Sequence, residues 1–268
     1  MVSDGGNTSR DGATDSGGSD PRFQDSGAPD AADGCPEAAK LIYVTGGTRD
    51  LWSFKPPSTF KLIGTMKCDA NYIPTHMTVD RQATAWAVFN ARLYKVSTVD
   101  ASCVQVPNWK QDPQNYGDFA LSFAGNTNSP DTSLFILPAT GKLGRFDTSA
   151  GSVSVIGTVE PSLQPANGDM TSNGDGTLYF LKQSYPRGLS NLSPSSAATL
   201  KSYSIVADAG GGNQALAFWG GSFYLFFGSS VWQFDPKQNT TTYVGVAPLS
   251  VTGAGQSTCA PQVPPPPG

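Results

Sequence analysis

The sequence holds one histidine, His76, in 268 residues, and that scarcity excludes any metal centre built on several imidazoles. Charged residues make up only 14% of the chain, with no concentrated basic stripe, so nucleic acid is not an expected partner. The longest apolar run, Ala215 to Phe227, is broken at Gly220-Gly221 and is too short to span a bilayer, so no transmembrane segment is expected. Residues 1 to 20 have neither a basic n-region nor an apolar h-region, so no signal peptide is visible: either an export signal lies upstream of the sequence given, the expected case, or the protein stays inside. No G-x-S-x-G, H-E-x-x-H or P-loop pattern occurs, and no cofactor is expected. Gly210 to Ala215 fits G-x-G-x-x-A by letters but precedes a strand where a nucleotide fingerprint needs a helix, so it is a turn.

What the chain has in quantity is glycine (30) and proline (21), the composition of short strands and tight turns. Its formal charge of -4 is unevenly placed: seven of 21 acidic residues precede Cys35, against Arg10 and Arg22, leaving the rest near neutral. Residues 1–34, built from Asp, Gly, Ser and Ala with Phe23 the only aromatic, cannot bury enough surface to fold and are expected to form a disordered tether. Their acidic residues lack the D-x-D-x-D-G spacing of a calcium loop.

From Lys40 onward the chain repeats. The clearest unit runs from Gln214 to Val246: an apolar segment, the Gly220-Gly221 turn, a strand apolar on both faces, an alternating strand (Val231-Trp232-Gln233-Phe234-Asp235) and a last strand through Tyr243 and Val244. Five such segments align on Tyr43, Trp86, Phe135, Tyr179 and Tyr224, at intervals of 43, 49, 44 and 45 residues, the period of propeller blades. Third strands are expected at Leu51 to Lys55, Leu93 to Ser97, Leu143 to Asp147, Leu200 to Ser204 and Val231 to Asp235, and blade four then lacks a fourth strand. The fold expected is an all-β, five-bladed β-propeller over residues 35–261, with a proline-rich tail at 262–268.

Blade one has no first strand at its own N-terminus, while Val251 to Thr258 has no blade of its own. Pairing that segment beside Leu41 to Val44 closes the ring and removes open sheet edges. It brings Cys35 to Cys259, leaving Cys68 with Cys103 across blades one and two, one of three pairings that four cysteines allow. Four cysteines in such a chain suggest an oxidising compartment.

The segments His76 to Arg81 and Ala85-Trp86, Leu93 to Cys103, Ala217 to Phe226 and Gly253 to Pro261 resemble those of uncharacterised bacterial secreted or envelope proteins that join an Asp- and Gly-rich tether to a propeller-like domain. The resemblance covers about Cys35 to Pro261. It implies an exported, extracytoplasmic domain, often a lipoprotein anchored through an upstream signal, and brings no activity with it.

Candidate sites follow from the repeat. His76, Asp118, Asn167, Asp169 and Gln214 fall at equivalent blade starts, where they would converge on a ligand at the channel mouth or else cap turns and bind channel water. Two loops exceed the repeat: Gln183 to Thr199, with Tyr185 and Arg187, and Pro107 to Gly117, with Trp109 and Tyr116. Trp109 either offers an exposed face to a sugar or peptide or folds back over the blade edge. The function expected is a non-catalytic ligand-binding or scaffold domain, a monomer with an unidentified protein or glycan ligand. The alternative is a carbohydrate-active enzyme using Asp80, Asp118 or Asp169 as paired carboxylates, and a self-associating adhesin is a third class.

Overall fold

A computed structural model describes residues 34–107, 109, 117–125, 131–164, 168–207 and 212–264. The segment expected to be a tether, apart from Gly34, lies outside the described residues, as do Asn167, Tyr116 and the prolines beyond Pro264.

Among the described residues twenty strands form five four-stranded antiparallel sheets. Blade one contains β1 (Ile42–Gly46), β2 (Asp50–Lys55) and β3 (Thr59–Thr65). Blade two follows with β4 (Pro74–Val79), β5 (Thr84–Phe89), β6 (Arg92–Ser97) and β7 (Cys103–Gln105). Blade three is β8 (Phe119–Gly125), β9 (Thr132–Pro138), β10 (Lys142–Asp147) and β11 (Ser152–Thr158). In blade four the strands are β12 (Gly168–Ser172), β13 (Leu178–Lys182), β14 (Gly188–Leu192) and β15 (Thr199–Ser204). Blade five has β16 (Gln214–Trp219), β17 (Ser222–Phe227), β18 (Ser230–Asp235) and β19 (Thr240–Val246), and β20 (Val251–Gln256) returns to become the innermost strand of blade one. The innermost strands touch in the cycle β4, β8, β12, β16, β20 and back to β4, so the ring is closed.

Each seam between neighbouring blades holds its own apolar cluster, five in all. The second strand of a blade feeds two of them, which is why it is apolar on both faces. In β5, Ala85, Ala87 and Phe89 face blade one while Trp86 and Val88 face blade three. In β1, Ile42 and Val44 pack toward blade five and Tyr43 toward blade two. Such strands are buried as completely as those of a parallel sheet, although the pairing is antiparallel.

Blade four corrects the sequence expectation. Its third strand is β14, inside the segment taken for a long loop, and Leu200 to Ser204 belongs to the fourth strand. Leu189 and Leu192 are both fully buried and occupy the two apolar positions that Leu51 and Phe54 fill in β2. Leu200 imitates the same pattern one strand further on but is 64% exposed. Serine and asparagine between the two leucines hide the strand, because neither residue type favours sheet.

Closure follows the expected route. β20 pairs antiparallel with β1, Ile42 opposite Gln256 and Val44 opposite Ala254. It also presses against β4 so tightly that a Cβ on Gly255 would lie 2.5 Å from both Met77 O and Thr78 Cα. Cys35 and Cys259 form a disulfide with a Cα separation of 5.9 Å, and Cys68–Cys103, at 5.3 Å, joins the connection after β3 to the start of β7.

The innermost strands all begin on one face of the ring, here called the upper face, and end on the lower. Cys35–Cys259 lies at the lower ends of β20 and β1. From there residues 261–264 run across the turns that follow β16 and β12: Gly220 N donates to Pro261 O at 2.7 Å and Gly174 N to Gln262 Oε1 at 3.0 Å.

Candidate functional site

An innermost strand has a sheet partner on one side only, so its other edge turns unpaired N–H and C=O groups toward the axis. Side chains from neighbouring blades meet this demand. Asp169 Oδ2 accepts from Leu216 N at 2.8 Å, Gln256 Oε1 accepts from Phe218 N at 3.0 Å, and Thr78 Oγ1 accepts from Phe123 N at 3.2 Å. In the other direction Gln256 Nε2 donates to Ser172 O at 2.7 Å, Thr252 Oγ1 to Pro74 O at 2.6 Å, and Ser172 Oγ to Phe123 O. These bonds cross between blades and fill the channel with satisfied polar groups.

Above this layer, at the upper face, is a cavity of about 300 Å³ whose wall includes Thr75, His76, Asp118, Gln183, Asn213 and Gln214. His76 stands third in β4, Asp118 just before β8, Asp169 second in β12 and Gln214 first in β16, so the sequence placed them at equivalent blade starts and the fold brings them together. His76 Nδ1 lies 3.2 Å from Asp169 Oδ1 and its Nε2 lies 3.7 Å from Asp118 Oδ2. The Asp169 side chain is fully buried, while that of Asp118 is 50% exposed and accepts from Thr75 Oγ1 at 2.6 Å. Gln214 Nε2 donates to Leu181 O at 3.0 Å. Among the described residues no group of three or more His, Cys, Asp or Glu is arranged to hold a metal ion.

Burial works against the charged ring of His76. The hydrogen bond to Asp169 and the negative charges of Asp169 and Asp118 outweigh it, and the histidine holds its proton above the usual range. Burial pushes the Asp169 carboxyl upward, offset in part by His76 and by the N–H groups of Leu216 and Met170. Folding therefore takes up protons at this pair. The stability gained is complete below the ordinary histidine value of about 6.5 and is lost as pH rises through the folded value. Calorimetric melting between about pH 6 and about pH 9 is expected to show less loss with rising pH in His76→Gln than in the native chain. Parallel curves would mean that the pair takes up no proton on folding.

Other expected site residues lie elsewhere. Asp80 is on the lower face, past the end of β4, where it accepts from Trp86 Nε1 at 2.9 Å, Thr84 N at 2.8 Å and Gln82 N at 3.0 Å. It organises a turn and is not in the inner strand, because Val79 ends β4 before it. Trp109 takes the second of its two expected arrangements: its indole N–H donates to Ala91 O at 2.9 Å, and the ring packs 5.1 Å from both Phe119 and Phe146 across the seam of blades two and three. Trp109→Ala is expected to cost about 2–3 kcal/mol through this lost packing, as read by urea unfolding. Tyr185 and Arg187 belong to the hairpin between β13 and β14 and not to a long insertion; Tyr185 is 89% exposed and the Arg187 guanidinium lies 4.5 Å from the centre of the Phe227 ring.

Thr75, Thr252 and Gln256 escaped the sequence reading. Thr252 and Gln256 sit in the closing strand, whose blade membership is clear only once the ring is shut, and Thr75 is one unremarkable threonine until Asp118 arrives beside it.

No family model and no curated protein matches the chain. Among solved structures it is similar to the protein of "The de novo evolutionary emergence of a symmetrical protein is shaped by folding constraints", at 16% identity and a TM-score of 0.52, covering 83% of this chain and 99% of that one. It also matches a catalytically inactive virginiamycin B lyase from Staphylococcus aureus with quinupristin, at 11% identity and a TM-score of 0.43 over 78% of this chain and 71% of that one. A protein of unknown function from Bacteroides caccae matches at 11% identity and a TM-score of 0.43, covering 75% of this chain and 71% of that one. At 16% identity the first of these likenesses is one of fold alone.

Proposed function

We propose that this chain is a non-catalytic ligand-binding or scaffold domain of a secreted or cell-surface protein, with the upper-face cavity as its binding site. The observation that carries the proposal is the convergence of His76, Asp118 and Gln214, from three different blades, on one open cavity. Display fits the same geometry: residue 34 and the tail beyond Cys259 leave from the lower face, so a tether over 1–34 would hold the cavity outward. Two disulfides and the absence, among the described residues, of a helix able to cross a membrane suit an extracytoplasmic site, and a bacterial lipoprotein anchored upstream is the form the sequence resembles.

A second reading, a carbohydrate-active enzyme, is favoured by one observation: Asp118 and Asp169 flank the same imidazole. A glycosidase needs two carboxylates open to one glycosidic bond. Against it, Asp169 spends Oδ1 on His76 and Met170 N and Oδ2 on Leu216 N, which leaves Asp118 as the exposed acid. A glycan array and a hydrolase screen on one preparation separate the two. Saturable binding without turnover, lost in Asp118→Asn, supports the binding domain; turnover abolished by Asp118→Asn replaces it with the enzyme.

A further inference from the structure

We infer that the upper-face cavity takes a ligand through a primary ammonium group, seated between the Asp118 carboxylate and the Nε2 lone pair of neutral His76; this rests on the cavity being the binding site. The chemistry of the wall carries the inference. An ammonium has three donors and no acceptor, so it fits a wall that offers acceptors. Thr75 gives its hydroxyl hydrogen to Asp118, and Thr252 gives its own to Pro74 O, so both face the cavity with lone pairs to spare. Gln214 spends one of its two amide N–H groups on Leu181 O, and its carbonyl oxygen is a further acceptor. His76 directs Nδ1–H at Asp169, and its other nitrogen, when neutral, is an acceptor facing Asp118 at 3.7 Å. That gap is too long for a hydrogen bond between the two, and when the ring is neutral the two facing acceptors can share one cation.

The charge balance agrees. The cavity wall contains Asp118 and, behind His76, the buried Asp169, and no lysine or arginine among the described residues. β4 contributes His76, the approach to β8 contributes Asp118, β12 contributes Asp169, and β16 and β20 contribute only the uncharged Gln214 and Thr252. A proton on His76 supplies the same positive charge as an ammonium and turns Nε2 into a donor. Ligand and proton therefore compete for one place, and binding should strengthen as pH rises past the histidine. At about 300 Å³ the cavity admits a small amine or one lysine side chain.

The test is titration calorimetry on the full chain with 1,5-diaminopentane, its neutral isostere 1,5-pentanediol and its anionic isostere glutarate. A short peptide with one lysine, free or Nε-acetylated, forms a further arm that distinguishes a protein ligand from a free amine. The diamine or the free-lysine peptide is expected to bind at least about 10-fold more tightly than its uncharged counterpart, the scale of one charged hydrogen bond. Asp118→Asn should lose at least about 10-fold on the same grounds while melting like the native chain. Affinity should fall from about pH 9 to about pH 6. Tighter binding of the diol, of glutarate or of the acetylated peptide, weakened by Asp118→Asn, would overturn the ammonium inference and leave the cavity standing as the site. Amine binding that Asp118→Asn does not weaken overturns the inference and the cavity's role together, and an absence of binding by either amine overturns the inference alone, the cavity then being judged by the glycan array.

Discussion

Gly255→Ala is expected to stop the ring from closing. The added methyl carbon would lie 2.5 Å from backbone atoms of Met77 and Thr78, which no rotation of a side chain can relieve. Either β20 withdraws from β4 or the register with β1 fails, and both open the seam that holds blade one to blade two. Overpacking against backbone on this scale costs about 3 kcal/mol or more, equivalent to a melting temperature lower by about 6–12 °C in a domain of this size. Gly253→Ala should cost less, because its nearest contacts are at 3.2 Å, and Gly47→Ala, with nothing within 4 Å, serves as the control. Circular dichroism melts of the three variants check the ranking. A Gly255→Ala curve that overlays the Gly47→Ala curve would mean that β20 does not close the ring in this way.

Asp169→Ala is the other large effect. It strands His76 Nδ1 and the N–H groups of Leu216 and Met170 in a buried place and removes the charge that the histidine leans on. Breaking a buried hydrogen-bonded charge pair from one side costs about 3–5 kcal/mol. Asp118→Ala removes a half-exposed carboxylate with one close hydroxyl partner and should cost about 1 kcal/mol or less. Urea unfolding of the two variants gives the comparison directly. An Asp169 variant as stable as the native chain would make that carboxylate a strained functional group held at the expense of the fold, and would return it to the list of candidate catalytic acids.

Those two aspartates also show how far the sequence could be read. The interval between Tyr43, Trp86, Phe135, Tyr179 and Tyr224 gave the number of blades, because a strand buried on both faces has few alternatives to bulky apolar residues. The closing strand could be inferred from a deficit at one end of the chain and a surplus at the other. Blade four misled because Leu-Ser-Asn-Leu carries its pattern on two residues only, while Leu-Lys-Ser-Tyr beside it imitates that pattern without being buried. At the site, the repeat put His76, Asp118, Asn167, Asp169 and Gln214 at equivalent blade starts, and the four of them among the described residues lie at the starts of inner strands. It could not separate their roles. Whether a carboxylate caps a neighbouring strand, as Asp169 does, or turns outward to solvent, as Asp118 does, depends on contacts between residues 42 or more positions apart. Asp80 shows the same limit within one blade: it follows the last residue of β4, four positions after His76, and so lies at the opposite end of the blade.

The disulfide at the lower face has a mechanical meaning. Cys35 precedes every strand and Cys259 follows every strand, so tension applied through residue 34 and residue 260 passes from one sulfur to the other and bypasses the sheets. Stretching the molecule by its two ends would load a covalent bond, and the blades would stay unstrained until that bond was cut. In a reducing medium the same pull would fall on the hydrogen bonds between β20 and β1, which can be peeled apart pair by pair.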